Sequence, residues 1–129
     1  MIPYGFLKTV DLPFDEAEKK VTEELKKEGF GVLSRIDLKE KFKEKLGVDF
    51  KQYVILGACN PPYALKTLEA EENIGLFLPC NVILYDADGG GTAVGIVRPS
   101  AAMGAIDNDA LVDVAGTVEQ KLKNVFDAL

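Results

Sequence analysis

The sequence predicts a single α+β domain over residues 1–129, with elements in the order β-α-β-β-β-β-α. The expected architecture is an antiparallel-rich sheet with two main helices on one face and two short inserted helices. Three observations carry this expectation. Short apolar runs recur between turn signals, two longer segments show helical periodicity, and two of the runs face each other across Asp88-Gly89-Gly90-Gly91.

The first run, Tyr4 to Val10, alternates as a strand does and is stopped by Asp11-Leu12-Pro13. Phe14, Ala17, Val21 and Leu25 then recur at helical spacing, and Gly29 is placed to end that helix. Its other face carries Lys19, Lys20, Glu23, Glu24, Lys26 and Lys27. Phe30 to Ile36 is the second strand. Asp37 caps a short inserted helix marked by Leu38, Phe42 and Leu46 and closed by Gly47, whose charges read as a solvated face.

Gln52 to Ala58 is a continuous apolar run too short for a buried helix, so it reads as a central strand covered on both faces. Asn60 followed by Pro61 reads as an N-cap and first helical position, opening a second short helix marked by Ala64, Leu65 and Leu68 that ends near Glu72. Asn73-Ile74-Gly75 then turns the chain into Leu76 to Pro79. Val82 to Asp86 and Thr92 to Val97 form a hairpin. After the capping cluster Asp107-Asn108-Asp109, the residues Leu111, Val114, Ala115, Val118, Leu122 and Val125 begin one long apolar face, continued by Phe126 and Leu129. That helix must lie on the sheet.

Composition excludes several function classes. A net charge of −6, from 21 acidic and 15 basic side chains, opposes nucleic-acid binding, which depends on neutralising phosphates. No apolar stretch approaches the length of a membrane span and Met1 to Phe6 lacks a signal-peptide pattern, so the expectation is a cytoplasmic protein with no membrane partner. The absence of histidine removes the Ser-His-Asp triad outright. Asp86-Ala87-Asp88-Gly89-Gly90 opens like a calcium loop, but Val97 stands where the bidentate glutamate is needed. The glycines 89–91 with Gly95 match neither a phosphate loop nor a dinucleotide fingerprint. Two cysteines without histidine reach tetrahedral zinc only with added carboxylates or ligands shared across a dimer, so neither a metal nor a cofactor is expected.

The residues most suggestive of a site lie in two turn-forming boxes, Ala58-Cys59-Asn60-Pro61-Pro62 and Leu78-Pro79-Cys80-Asn81-Val82. If strands Gln52–Ala58 and Val82–Asp86 are antiparallel neighbours, Cys59 and Cys80 share one sheet edge as a candidate cross-strand pair about 4.5–5.5 Å apart. Cys59 lies one residue ahead of a helix cap, where unpaired N–H groups and the helix dipole favour a thiolate. Asn60 and Asn81 suit the tight turns. The candidate site is therefore Cys59, Cys80, Asn60 and Asn81, with Cys59 the more reactive thiol of a thiol-dependent or redox-linked protein. Unpaired cysteine is also a common buried and inert residue, which is the structural alternative. Two other uses stand beside these. One is a non-catalytic module binding a small molecule or metal, its apolar pocket enclosed by the last helix and the sheet. The other is a dimeric interaction domain meeting its copy at sheet edges or through Pro99 to Ile106.

At these boxes the chain resembles the domain-of-unknown-function family 302 of bacteria and archaea. The resemblance rests on Leu56-Gly57-Ala58-Cys59-Asn60-Pro61 followed by Ala64, and on Leu78-Pro79-Cys80-Asn81-Val82, with the first helix and the Gly29 turn agreeing in place. It spans nearly the whole chain. It implies a compact α+β fold similar to the TATA-binding-protein-like arrangement and homodimers, and it implies no activity.

Overall fold

The computed structural model describes residues 2–129. Strand β1 (Gly5–Val10) leads into helix α1 (Phe14–Lys27), followed by strand β2 (Gly31–Asp37), helix α2 (Leu38–Leu46) and strand β3 (Tyr53–Cys59). Helix α3 (Pro61–Ala70) and a 3-10 helix (Glu72–Phe77) precede strands β4 (Cys80–Asp86) and β5 (Thr92–Val97). Helices α4 (Pro99–Ala102) and α5 (Asp109–Asp127) complete the chain. All five strands form one antiparallel sheet in the order β1-β5-β4-β3-β2.

The expected α+β architecture is therefore present, with two additions. The turn expected at Asn73 to Gly75 is a 3-10 helix, and the segment after Arg98 contains the short helix α4, started by Pro99 at its first turn. The caps follow the local chemistry. Asp37 accepts from Glu40 N at 3.0 Å, and Asn108 accepts from Ala110 N at 3.0 Å. Gly29 takes φ 87°, which lets Phe30 N return to Leu25 O and Gly29 N to Lys26 O, closing α1 with a Schellman turn.

Side-chain alternation divides the sheet into two unlike faces. On one, Phe6, Val54, Leu56, Val82, Leu84 and Ile96 are buried beneath α1 and α5, which contribute Val21, Leu25, Leu122 and Val125. Each such side chain stabilises the fold by roughly 1.5–3 kcal/mol relative to exposure. A smaller cluster, Ile74, Met103, Leu111 and Ala115, lies under the first half of α5. No helix of the main core covers the opposite face, which carries Tyr53, Ile55 and Gly57 of β3.

That arrangement corrects the reading of Gln52 to Ala58 as a central strand covered on both sides. β4 occupies the middle of the sheet and β3 is next to the edge strand β2. The run is apolar throughout, yet the helices bury only Val54, Leu56 and Ala58.

Gly57 fits where β3 passes close to two neighbours. A Cβ there would collide with Ser34 Oγ and stand 2.7 Å from Pro79 Cγ. Ser34 can rotate but the proline ring cannot. Gly57→Ala is expected to lower stability by about 1–3 kcal/mol in urea unfolding, through overpacking rather than backbone strain.

Candidate functional site

A cleft of about 470 Å³ opens beside the cysteine boxes. Its roof is α3, where Ala64, Thr67 and Leu68 recur at helical spacing on one side. Its floor is the end of β3 and the start of β4, and its far wall is Met103 with Val114, Ala115 and Val118 of α5. Leu33, ejected by the bulge between Val32 and Ser34 in β2, stands at the mouth, 71% exposed.

The cleft exists because the two apolar clusters do not merge. Ala58, Val118 and Phe30 belong to the main core, whereas Met103 and Ala115 belong to the smaller one, and all five line the space between them. Polar latches hold this gap at its ends. Asn108 Nδ2 donates to Ala70 O at 2.9 Å and to Glu71 Oε1 at 3.2 Å, tying the start of α5 to the end of α3. Glu119 on α5 accepts from Ser100 N at 3.0 Å, from Ser100 Oγ and from Arg98 Nε at 3.3 Å, tying α4 to α5. Burial works against the Glu119 charge, but those hydrogen bonds outweigh it and hold the carboxyl below its usual range.

The lining carries no Asp, Glu, Lys or Arg among the described residues. Its polar groups are few. The Thr67 hydroxyl donates to Tyr63 O at 2.7 Å and is satisfied within its own helix. Asn60 is 7% exposed, and its Nδ2 donates to Glu28 O at 3.0 Å across 32 residues. Thus Asn60 occupies the cap position of α3 without a side-chain capping bond, and its amide fastens the end of α1.

Of the four candidate residues, Cys59, Asn60 and Cys80 line the cleft, whereas Asn81 lies outside it. Asn81 is one residue beyond Cys80 and therefore faces the other side of the sheet, opposite Gly57. The cysteines are not the cross-strand pair that their placement at adjacent strand ends predicts. Cys80 sits opposite Ala58, and Cys59 sits opposite Gly31 on β2, so the two are one position out of step; both are free thiols.

Their chemistry also differs from the expectation. Burial first, and the neighbouring Cys59 second, push the Cys80 thiol up to about 11. It is neutral at physiological pH and behaves as a small apolar side chain. Cys59 does precede a helix N-terminus, but Pro61 and Pro62 remove the N–H donors of its first two positions, and Ala64 N is bonded to Asn60 O. Few amides remain there to hold an anion.

The cleft lining beyond the boxes was hidden in the sequence. Ala115 and Val118 read only as core positions of the last helix and Met103 only as part of the Pro99 to Ile106 segment, and their one distinguishing signal is small residues, Ala58, Ala64 and Ala115, on three separate elements.

The family model described as "Domain of unknown function DUF302" matches residues 6–129. The chain is also similar to the crystal structure of uncharacterized conserved protein DUF302 from Bacillus stearothermophilus, with 34% identity, a TM-score of 0.91 and 98% of each chain covered. No curated protein matches it.

Two outcomes follow from this geometry. Since burial raises Cys80 above the ordinary thiol value of 9.0, its contribution to stability is complete below pH 9 and is lost as pH rises toward about 11. Urea midpoints of wild type and Cys80→Ala should therefore converge over that interval, by an amount on the order of 2–3 kcal/mol. Asn60→Ala should lower stability by about 1–3 kcal/mol at every pH, because Glu28 O loses its partner.

Proposed function

The chain belongs to the DUF302 family, and we propose that it is a small-molecule-binding module whose ligand is an uncharged, largely apolar compound held in the cleft under α3. The observation that carries this reading is a cleft of about 470 Å³ whose lining holds no ionised carboxylate, ammonium or guanidinium among the described residues. That volume lies in the range of small-molecule sites, and such sites are mostly apolar with a few polar groups that orient the ligand. Here Ser34 and Cys59 are the polar groups of the lining available for that role. Exposed Leu33 and Leu68, the latter 41% exposed, supply an apolar entrance.

A thiol-dependent or redox-linked role for Cys59 and Cys80 is less well supported. It needs a thiolate, and Cys80 is held as the thiol, while no carboxylate or lysine of the cleft lining stands ready to take a proton from Cys59. The cysteines fit better as soft, polarisable contacts to an apolar ligand.

A neutral solvatochromic dye such as Nile red tests the reading. Wild type is expected to bind it with a micromolar dissociation constant and a blue-shifted emission. Ala64→Phe, which fills the cleft from its roof, should weaken binding by about tenfold or more with the circular dichroism spectrum retained. Equal binding by the two proteins would place the dye elsewhere and overturn the proposal.

A further inference from the structure

The hydrogen bond from Asn60 Nδ2 to Glu28 O uses only half of an amide. Because a carbonyl oxygen can only accept, that contact fixes which end of the Asn60 side chain is nitrogen, and Oδ1 is the end left over. Oδ1 accepts no hydrogen bond from any described residue, although Asn60 is only 7% exposed. Among the described residues no wholly buried side-chain oxygen or nitrogen lacks a partner, so Oδ1 keeps contact with water. The cleft is the cavity that Asn60 lines.

The local sequence explains why this oxygen is unclaimed. The side-chain oxygen of a cap residue ordinarily takes the N–H of the second or third helical position. Pro62 fills the second and has no N–H, and the tether to Glu28 occupies the amide, so α3 starts without a side-chain cap bond. Tyr63 N, the first amide of the helix that carries a proton, accordingly finds no acceptor among the described residues. An acceptor and a donor are thus both left over at the start of the helix that roofs the cleft.

On the reading of the cleft as a small-molecule site, we infer that Asn60 is its ligand anchor, with Oδ1 accepting the hydroxyl proton of a neutral alcohol or phenol whose apolar body fills the space. An apolar body entering the cleft expels the water at Oδ1, and a ligand without a donor leaves a buried acceptor unpaired. A hydroxyl removes that penalty, and its own oxygen is free to accept from Tyr63 N. An ammonium donor would be desolvated against a lining that holds no carboxylate among the described residues, which selects a neutral group. Since Nδ2 is already bonded to Glu28 O, the acceptor is held before the ligand arrives, and little side-chain freedom is lost on binding.

Displacement of Nile red, which carries no donor, by 1-naphthol and by its methyl ether 1-methoxynaphthalene tests the anchor. The two compounds share an apolar body and are neutral at pH 7, and only the first has a hydroxyl. Wild type is expected to prefer 1-naphthol by about tenfold or more. In Asn60→Ala the preference should fall to within about twofold, because losing the Glu28 contact weakens both compounds alike while losing Oδ1 weakens only the alcohol. If Asn60→Ala fails to fold, wild type answers alone: the side-chain carbonyl carbon resonance of Asn60 should move further with 1-naphthol than with the ether. Equal affinity of wild type for the two compounds overturns the anchor, as does displacement by neither. So does a preference that Asn60→Ala retains, or a carbonyl resonance that both compounds move equally. The cleft reading itself fails on a different result, dye binding that Ala64→Phe leaves unchanged.

Discussion

The period of two along an extended chain is the constraint on which this molecule depends. Because each strand turns alternate residues to opposite sides, the antiparallel register of β1-β5-β4-β3-β2 gathers Phe6, Ile96, Val82, Leu56 and their neighbours onto one surface. That surface is too apolar to face water, and α1 and α5 lie across it with matching stripes. The same alternation places Asn81 and Cys80 on opposite sides of β4, and it sets Cys59 and Cys80 out of step. A one-residue offset is enough to separate groups that the linear sequence places together.

Helix α5 is shared between two packing units. Its later turns, with Leu122 and Val125, complete the main core, while Leu111 and Ala115 complete a smaller one under the 3-10 helix and α4. A space is left where one unit ends and the other begins. Small side chains keep it open, and polar latches at Asn108 and Glu119 keep its walls from closing. The neutral Cys80 thiol follows from the same setting, since a charge on that sulfur would have to be desolvated among alkyl groups.

Asn60 shows how a residue in a suggestive motif acquires a structural task. Its position before Pro61 suits a cap, yet its amide reaches back to the end of α1, where Gly29 leaves room: a Cβ at Gly29 would stand 3.1 Å from Asn60 Nδ2. One hydrogen bond thereby joins the end of the first helix to the start of α3, the roof of the cleft. The motif is a joint between layers as much as a lining of the site.

Local chemistry alone determined the number and type of the main elements. Phe14, Ala17, Val21 and Leu25 specify α1, Gly29 its end, Asp37 and Asn108 their caps, and the glycines before Thr92 the last hairpin, because each signal acts over a few bonds. Only the tertiary structure decided which strands are neighbours, that the cysteines miss one another by one position, and that Met103 and Ala115 come to share a cleft with Ala58 and Ala64. Those facts depend on contacts between residues far apart in the chain. A register or a gap between two cores is a property of their packing and leaves no periodic trace in either segment.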